Sequence, residues 1–332
     1  VGFDAYPTRV AVRVESRWQE AIDAGMDVGR IQLDWRDLEP KPNEFDEDEL
    51  REQLRGLHTQ GLRPLVGLYA VDSEGIVLPP DLQEEVSGGL RLDSPRVRNR
   101  HNALLDRVVP ILEEFDAWGI LLTNEPDAWV DDESRAADEL AGFYRNARER
   151  IRERSELLAV SATHTIGILD TPERFHAAAI QELDFGSYNY YPLTAELFAL
   201  ELSVDAIKDT LQELVDASLG KDIILQELGA PSGLDGTSPM GASVALQRDF
   251  IERSLRACRD NDRVRAAFVF QLIDWTPRSI AALTPELEGE VPTDFLERFE
   301  EWFLTIGMLD RRGRPRPAWS VFLNALEQER AR

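Results

Sequence analysis

Short apolar runs alternate with longer amphipathic stretches along this chain, and that alternation, repeated eight times, restricts its fold more than any other feature. Runs such as Ile120, Leu121, Leu122 and Ile223, Ile224, Leu225 are apolar on both faces, as strands must be when helices cover a parallel sheet. Strands are predicted at residues 1–5, 28–34, 63–70, 118–124, 157–163, 183–190, 222–227 and 264–273. Helical patterns fall at 15–25, 46–60, 94–114, 132–154, 172–181, 203–218, 242–260 and 293–304. Two helix starts carry a capping hydroxyl before a proline suited to the first turn, Ser94 before Pro95 and Thr171 before Pro172. Strand then helix, eight times in about 300 residues, fits the α/β class as a (β/α)8 TIM barrel better than an open doubly wound sheet. No Gly-rich dinucleotide fingerprint follows the first strand, which removes the main ground for the alternative. The expectation is one catalytic domain over 1–332, with extended connections near 71–93 and 276–292 forming walls on the rim at the strands' C-terminal ends.

With 332 residues and 43% hydrophobic content, such a domain can bury a large core. The formal net charge of −25 argues against a nucleic-acid partner, because phosphate recognition needs clustered Lys and Arg. A neutral ligand is easier to reconcile with it. Lysine occurs only at Lys41, Lys208 and Lys221; acid-rich solubility and adaptation to high salt both account for the bias. Cys258 is the only cysteine, so there is no internal disulfide framework and no paired-cysteine zinc site, and it is expected to pack on a helix as a small apolar residue. No run of eighteen apolar residues exists, so no membrane span is expected. A signal peptide is not visible; the chain opens at Val1 inside a predicted strand, compatible with a secreted or cell-surface protein whose export signal has been trimmed.

Two of the apolar strands end in a glutamate. The fourth runs into Asn124, Glu125, Pro126 and the seventh into Gln226, Glu227, Leu228, Gly229. If both strands belong to one parallel barrel, both acids project from its C-terminal rim, the face where such barrels build active sites. Paired carboxylates there suit glycosidic bond chemistry. Hydrolysis with retention needs one acid to protonate the departing oxygen and a second carboxylate to attack the anomeric carbon, roughly 5 to 5.5 Å apart. One must stay protonated while the other stays ionised, and unequal surroundings separate their pKa values.

In these residues the chain resembles the clan A glycoside hydrolases, retaining β-glycosidases on a (β/α)8 barrel, and the resemblance covers essentially its whole length. Asn124, Glu125 and Pro126 look like the clan's Asn-Glu-Pro at the end of strand four. The resemblance implies that Glu125 is the acid/base, that Asn124 binds the sugar 2-hydroxyl, and that Glu227 is the nucleophile ending strand seven. It also implies that Arg30 on strand two supports the nucleophile and that Trp275 after strand eight forms an aromatic platform. A Tyr at the end of strand six often hydrogen-bonds the clan's nucleophile; Tyr190 is favoured for this, then Tyr188, which alternation places on the same face. The segment from Trp35 to Asp46 resembles the turn after strand two, and Gly307 to Trp319 the last turn and helix. The His that many cellulase-like members carry beside that Tyr is absent here, so no subfamily is assigned.

His164 ends strand five, where an imidazole could bind a sugar hydroxyl or steer a glutamate; a satisfied structural His is the alternative. Trp35, Tyr69, Trp129, Tyr191 and Trp275 fall at or just beyond strand ends, where aromatic faces could stack on sugar rings, with core packing as the alternative. His58, His101 and His176 lie on helical patterns as packing or surface residues. No histidine pair has metal-ligand spacing and no Asp-rich loop matches a calcium site, so no metal or other cofactor is expected. The expected activity is double-displacement hydrolysis of a neutral poly- or oligosaccharide of mannan, galactan or glucan type; the alternative is a non-catalytic carbohydrate-binding barrel. A metal-dependent lyase would need three carboxylates on successive strand ends or a Lys or His base, and no lysine lies at a predicted strand end.

Overall fold

The structure, a computed structural model, describes residues 2–3, 11–73, 75–128, 133–169, 173–194, 199–200, 206–234, 238–284 and 291–332. Eight principal strands follow in chain order: β1 (Gly2–Phe3), β2 (Val28–Asp34), β3 (Arg63–Tyr69), β4 (Gly119–Asn124), β5 (Ala159–Thr165), β6 (Gly186–Tyr190), β7 (Ile223–Leu228) and β8 (Val264–Val269). The chain divides into two compact units. One comprises 27–189 and 213–224 and holds Glu125; the other comprises 1–26, 190–212 and 225–332 and holds Glu227.

In the Glu125 unit, β2 to β6 are successive parallel neighbours, and β2 pairs with β3 from Val28 opposite Arg63 to Asp34 opposite Tyr69. Every residue of β4 is buried, as expected of a strand covered on both faces. The helix Asp48–Thr59 buries Leu50, Leu54 and Leu57, the spacing of one helical face, and packs on β2 and β3. Gly29 makes room for it: a β-carbon there would lie 2.6 Å from Leu57 Cδ2. Helices Pro95–Glu114, Glu133–Arg152 and Glu173–Gln181 pack on one another in sequence. Ser94 caps the first of these by accepting from the Val97 amide, with Pro95 in the first turn. Thr171 and Pro172 lie outside the described residues.

In the Glu227 unit, β1 pairs in parallel with β8, Gly2 opposite Phe268 and Phe3 opposite Val269, and β7 lies next to β8. Helices Ala11–Ala24 and Val244–Arg259 both pack against Pro317–Arg330. That last helix corrects the predicted order. The eighth amphipathic pattern, Thr293–Thr305, does not complete the layer; it belongs, with Pro277–Leu283, to an elaborated connection after β8. Met240, Phe270, Trp302 and Ile306 form a buried cluster there, with Tyr191 packed against it. The expected connections near 71–93 and 276–292 also carry structure: a hairpin pairing Val71–Asp72 with Gly75–Ile76, and helices Pro80–Ser87 and Pro277–Leu283. Residues 74 and 285–290 within them lie outside the described residues.

The parallel strands with intervening helices give the mixed α/β fold that the pattern predicts. Among the described residues no helix is long and apolar enough to cross a membrane.

Candidate active site

At the end of β4 the pairing with β5 shifts register between Leu121 and Asn124, a bulge of the kind that re-aims side chains. Glu125 follows with φ +49°, a left-handed conformation uncommon for a residue other than glycine, and its amide donates to the Thr163 carbonyl at 2.8 Å. Such a backbone costs on the order of 1–3 kcal/mol and persists where surrounding structure enforces it. The part-buried carboxyl accepts from Asn189 Nδ2 at 2.8 Å. Asn124 is 5% exposed and joined to the same network, accepting from Asn189 Nδ2 at 3.1 Å and donating to Asp72 Oδ1 at 2.8 Å. Gln32 donates to the other Asp72 oxygen at 3.0 Å.

Burial pushes the Glu125 pKa up; hydrogen bonds from Asn189 and Ser73 oppose this, and the neighbouring Asp127 and Asp72 reinforce it. Asp127 is raised to about 6 by burial, although Thr165 donates to it through its amide and hydroxyl. Asp34, at the end of β2, is raised to about 6 by burial and then by the charge of Asp72, against the lowering effect of Arg36 at 2.9 Å. This rim therefore holds several carboxyls that resist ionisation.

Glu227 has different surroundings. It lies within β7, which is buried throughout, and the side chain is buried. Tyr191 Oη donates to its Oε2 in a short hydrogen bond, and Gln226 Nε2 donates to Oε1 at 3.2 Å. An ionised carboxylate is acceptor-only and is satisfied by donors on both oxygens. The Tyr191 ring is held edge-on against Trp302, centroids 5.0 Å apart, and against Phe270 at 6.0 Å. Gly229 allows the strand end to close on β8: a β-carbon there would stand 2.4 Å from the Phe270 carbonyl oxygen.

The tyrosine that meets Glu227 is thus Tyr191, and neither Tyr190 nor Tyr188. Those two do share a face, but it is the helix-facing one: the Tyr188 hydroxyl pairs with Ser218 Oγ at 2.8 Å, and Tyr190 is fully buried with its ring 5.5 Å from that of Phe250. Trp35 and Tyr69 are also core residues and cannot act as stacking platforms, each being 0% exposed. Trp35 donates to Glu39 at 2.9 Å and packs on the His101 ring, while the Tyr69 hydroxyl accepts from Arg30 Nη1 at 3.2 Å. Arg30 itself is buried and also reaches Gln32, at 3.4 Å.

His164 is fully buried, and burial lowers its pKa to about 4, so the imidazole is neutral at ordinary pH. His101 is likewise buried, and burial lowers its pKa to about 3. Trp275 is half-buried with its ring 4.7 Å from Phe303, and Asp274 beside it forms a two-pronged ion pair with Arg316. Trp129 lies outside the described residues. Among the described residues no three His, Cys, Asp or Glu side chains converge as metal ligands. Asn189, Asp72 and Gln32 were not predicted; only for Asn189 did the sequence hold a signal, since a residue between Tyr188 and Tyr190 on a strand must face the other way.

No protein-family model matches the sequence, and no match is found among curated proteins. Solved structures do match along nearly the whole chain. A GH5_18 protein from Streptomyces cattleya, solved with GlcNAc, superposes with a TM-score of 0.72 at 15% identity, covering 96% of this chain and 74% of its own. The exo-β-1,4-mannosidase Op5Man5 from Opitutaceae bacterium strain TAV5 gives 0.70 at 20% identity, covering 99% of this chain and 59% of its own. A family 39 glycoside hydrolase from Bacteroides cellulosilyticus WH2 gives 0.64 at 14% identity, covering 98% and 63%. At these identities the likeness establishes a shared fold.

Proposed function

We propose that this chain is a clan A retaining β-glycoside hydrolase, with Glu125 as acid/base and Glu227 as nucleophile. The single observation that carries the reading is the unequal setting of two glutamates at the ends of β4 and β7. Burial and neighbouring carboxyls raise the proton affinity of Glu125, as a general acid requires. Neutral donors meet both oxygens of Glu227, as suits a carboxylate that attacks in its ionised form. The shared fold with glycoside hydrolases of families 5 and 39 supports the same assignment.

The reaction runs in two displacements. Glu227 attacks the anomeric carbon while Glu125 gives its proton to the departing oxygen, leaving a glycosyl-enzyme; Glu125, now ionised, takes a proton from water that releases the sugar. This chemistry requires the carboxyl groups at roughly 5 to 5.5 Å. Asn124 would meet the sugar 2-hydroxyl and Trp275 would offer an aromatic face. The substrate is a neutral β-linked poly- or oligosaccharide. A mannose-type sugar is the first choice among mannan, galactan and glucan, since the Opitutaceae protein that shares the fold is a β-1,4-mannosidase.

The test is a panel of aryl β-glycosides and neutral polysaccharides, with a variant carrying both Glu125→Gln and Glu227→Gln as blank. Turnover absent from the blank, with the anomeric configuration retained by proton NMR, is expected. Sugar binding by titration without turnover would sink the hydrolase assignment in favour of a carbohydrate-binding barrel.

A further inference from the structure

Asn189 is 1% exposed, and its side chain leaves β6 on the face opposite Tyr188 and Tyr190. Its one amide nitrogen serves two acceptors: Glu125 Oε1 at 2.8 Å and Asn124 Oδ1 at 3.1 Å. Asn124 passes its own amide hydrogens on to Asp72 Oδ1 at 2.8 Å and Ser73 Oγ at 3.3 Å, so its orientation is set from both ends. The position of Asn189 is itself fixed, because its partner across the β5 to β6 pairing is Thr165, the residue that donates to Asp127. We infer that Asn189 is a positioning residue that binds Glu125 and Asn124 into one rigid unit and favours the ionised form of Glu125. The inference deepens the hydrolase reading and rests on it for the role of Glu125.

Donation from a neutral amide favours the charged form of its acceptor, and an amide neither gains nor loses a proton over the working range. The charged groups that act most strongly on Glu125 are Asp72, after β3, and Asp127, in the turn after β4, and both oppose ionisation. Ser73 and Asn189 supply the hydrogen bonds that favour it. Asn189 therefore keeps the proton affinity of a buried carboxyl from rising so far that it could not act as the base of the second displacement. By tethering Asn124 to the same nitrogen, it also couples the group that moves the proton to the group proposed to hold the sugar.

The experiment is a carbon-13 NMR titration of the Glu125 carboxyl, assigned by its loss in Glu125→Gln, in the wild type and in Asn189→Ala and Asn189→Asp. Removing the donor is expected to raise the Glu125 midpoint by about one pH unit, and to shift the basic limb of the pH-rate profile the same way, while the wild-type Asn189 side-chain amide resonance moves with the Glu125 midpoint. That last signal needs no variant and decides the matter if neither variant folds. A Glu125 midpoint unchanged in folded variants, or an Asn189 amide blind to it, overturns the inference even if glycosides are cleaved. A shifted midpoint in a protein that cleaves no glycoside leaves the coupling standing and removes the hydrolase reading instead.

Discussion

Glu125 and Glu227 end similar apolar strands, yet the two regions treat the same side chain in opposite ways. Glu125 stands just past β4 with a left-handed backbone, burial and two nearby aspartates favouring its proton. Glu227 stands inside the regular backbone of β7, its oxygens met by a phenol and an amide and its tyrosine braced by Trp302 and Phe270. The difference teaches that role is written in the neighbours. In the proposed mechanism two identical residues take different roles because one region sets other carboxyls near its glutamate and the other brings a phenol and an amide to its own.

The largest effect should come from breaking each side of this comparison in turn. Glu227→Ala is expected to abolish turnover on every glycoside, by more than ~10⁴-fold, because in the proposed mechanism its carboxylate alone forms the covalent bond. Glu125→Ala should cost ~10²–10⁴-fold on substrates whose leaving group needs a proton, but much less on a dinitrophenyl glycoside, whose leaving group departs unaided. Azide should restore turnover of the latter variant by taking the place of the base-activated water. The measurement is kcat/KM against leaving-group pKa for both variants; equal losses at every leaving group would erase the proposed division of roles.

A smaller effect sharpens the Glu227 side. Tyr191→Phe removes the hydroxyl that donates to Glu227 and should lower kcat by roughly 10²-fold, the scale of losing one preorganised donor at a reacting centre. Tyr188→Phe and Tyr190→Phe should leave kcat close to wild type, since their hydroxyls and rings serve the helix side of β6. Steady-state kinetics of the three variants separates them, and a loss in Tyr190→Phe matching that in Tyr191→Phe would contradict the geometry.

Those tyrosines mark where sequence stops being a guide. Strand alternation correctly groups Tyr188 with Tyr190, but it does not say which face of β6 is covered by helix, so it favours that pair for the contact with Glu227 that Tyr191 makes. Periodicity found β2 at Val28–Asp34 to the residue and the helix Asp48–Thr59 within two residues at its start, because both bury a clear face. It overran β8, predicted to 273 but ending at Val269, since Leu272 and Ile273 are buried outside the ladder and burial, not pairing, is what an apolar run reports. Trp35 and Tyr69 were placed at strand ends correctly, yet their rings turn inward to meet Glu39 and Arg30. Asp72, which joins Asn124 across a separation of 52 residues, could not be seen at all, because hydrogen-bond partners brought together by folding leave no local pattern; for Asn189, 65 residues away, alternation tells only that it faces away from the two tyrosines.

The smallest effect concerns acid, and its sign differs between the regions. All four histidines belong to the Glu125 unit, and His164 and His101 are buried there with pKa values lowered to about 4 and about 3. Below about 6.5 the unfolded chain binds protons that these folded imidazoles refuse, so each withdraws about 2 kcal/mol of stability between pH 7 and pH 5. Asp34 and Asp127 in the same unit work the other way. Raised to about 6, they take up protons in the folded state before the unfolded chain does, and acidification across that window stabilises. Asp274, raised to about 6 by burial, does the same in the Glu227 unit, which has no histidine to oppose it. The net change in the Glu125 unit is therefore a small difference of opposed terms, and a single melting curve would not reveal it. Hydrogen exchange resolved by segment at pH 7 and pH 5, corrected for intrinsic rates, should show β2 to β6 losing protection relative to β7 and β8. His164→Asn should restore about 2 kcal/mol of that pH-dependent difference whatever its cost at neutral pH; an unchanged pH dependence in this variant would mean that the buried imidazole is not the group that titrates.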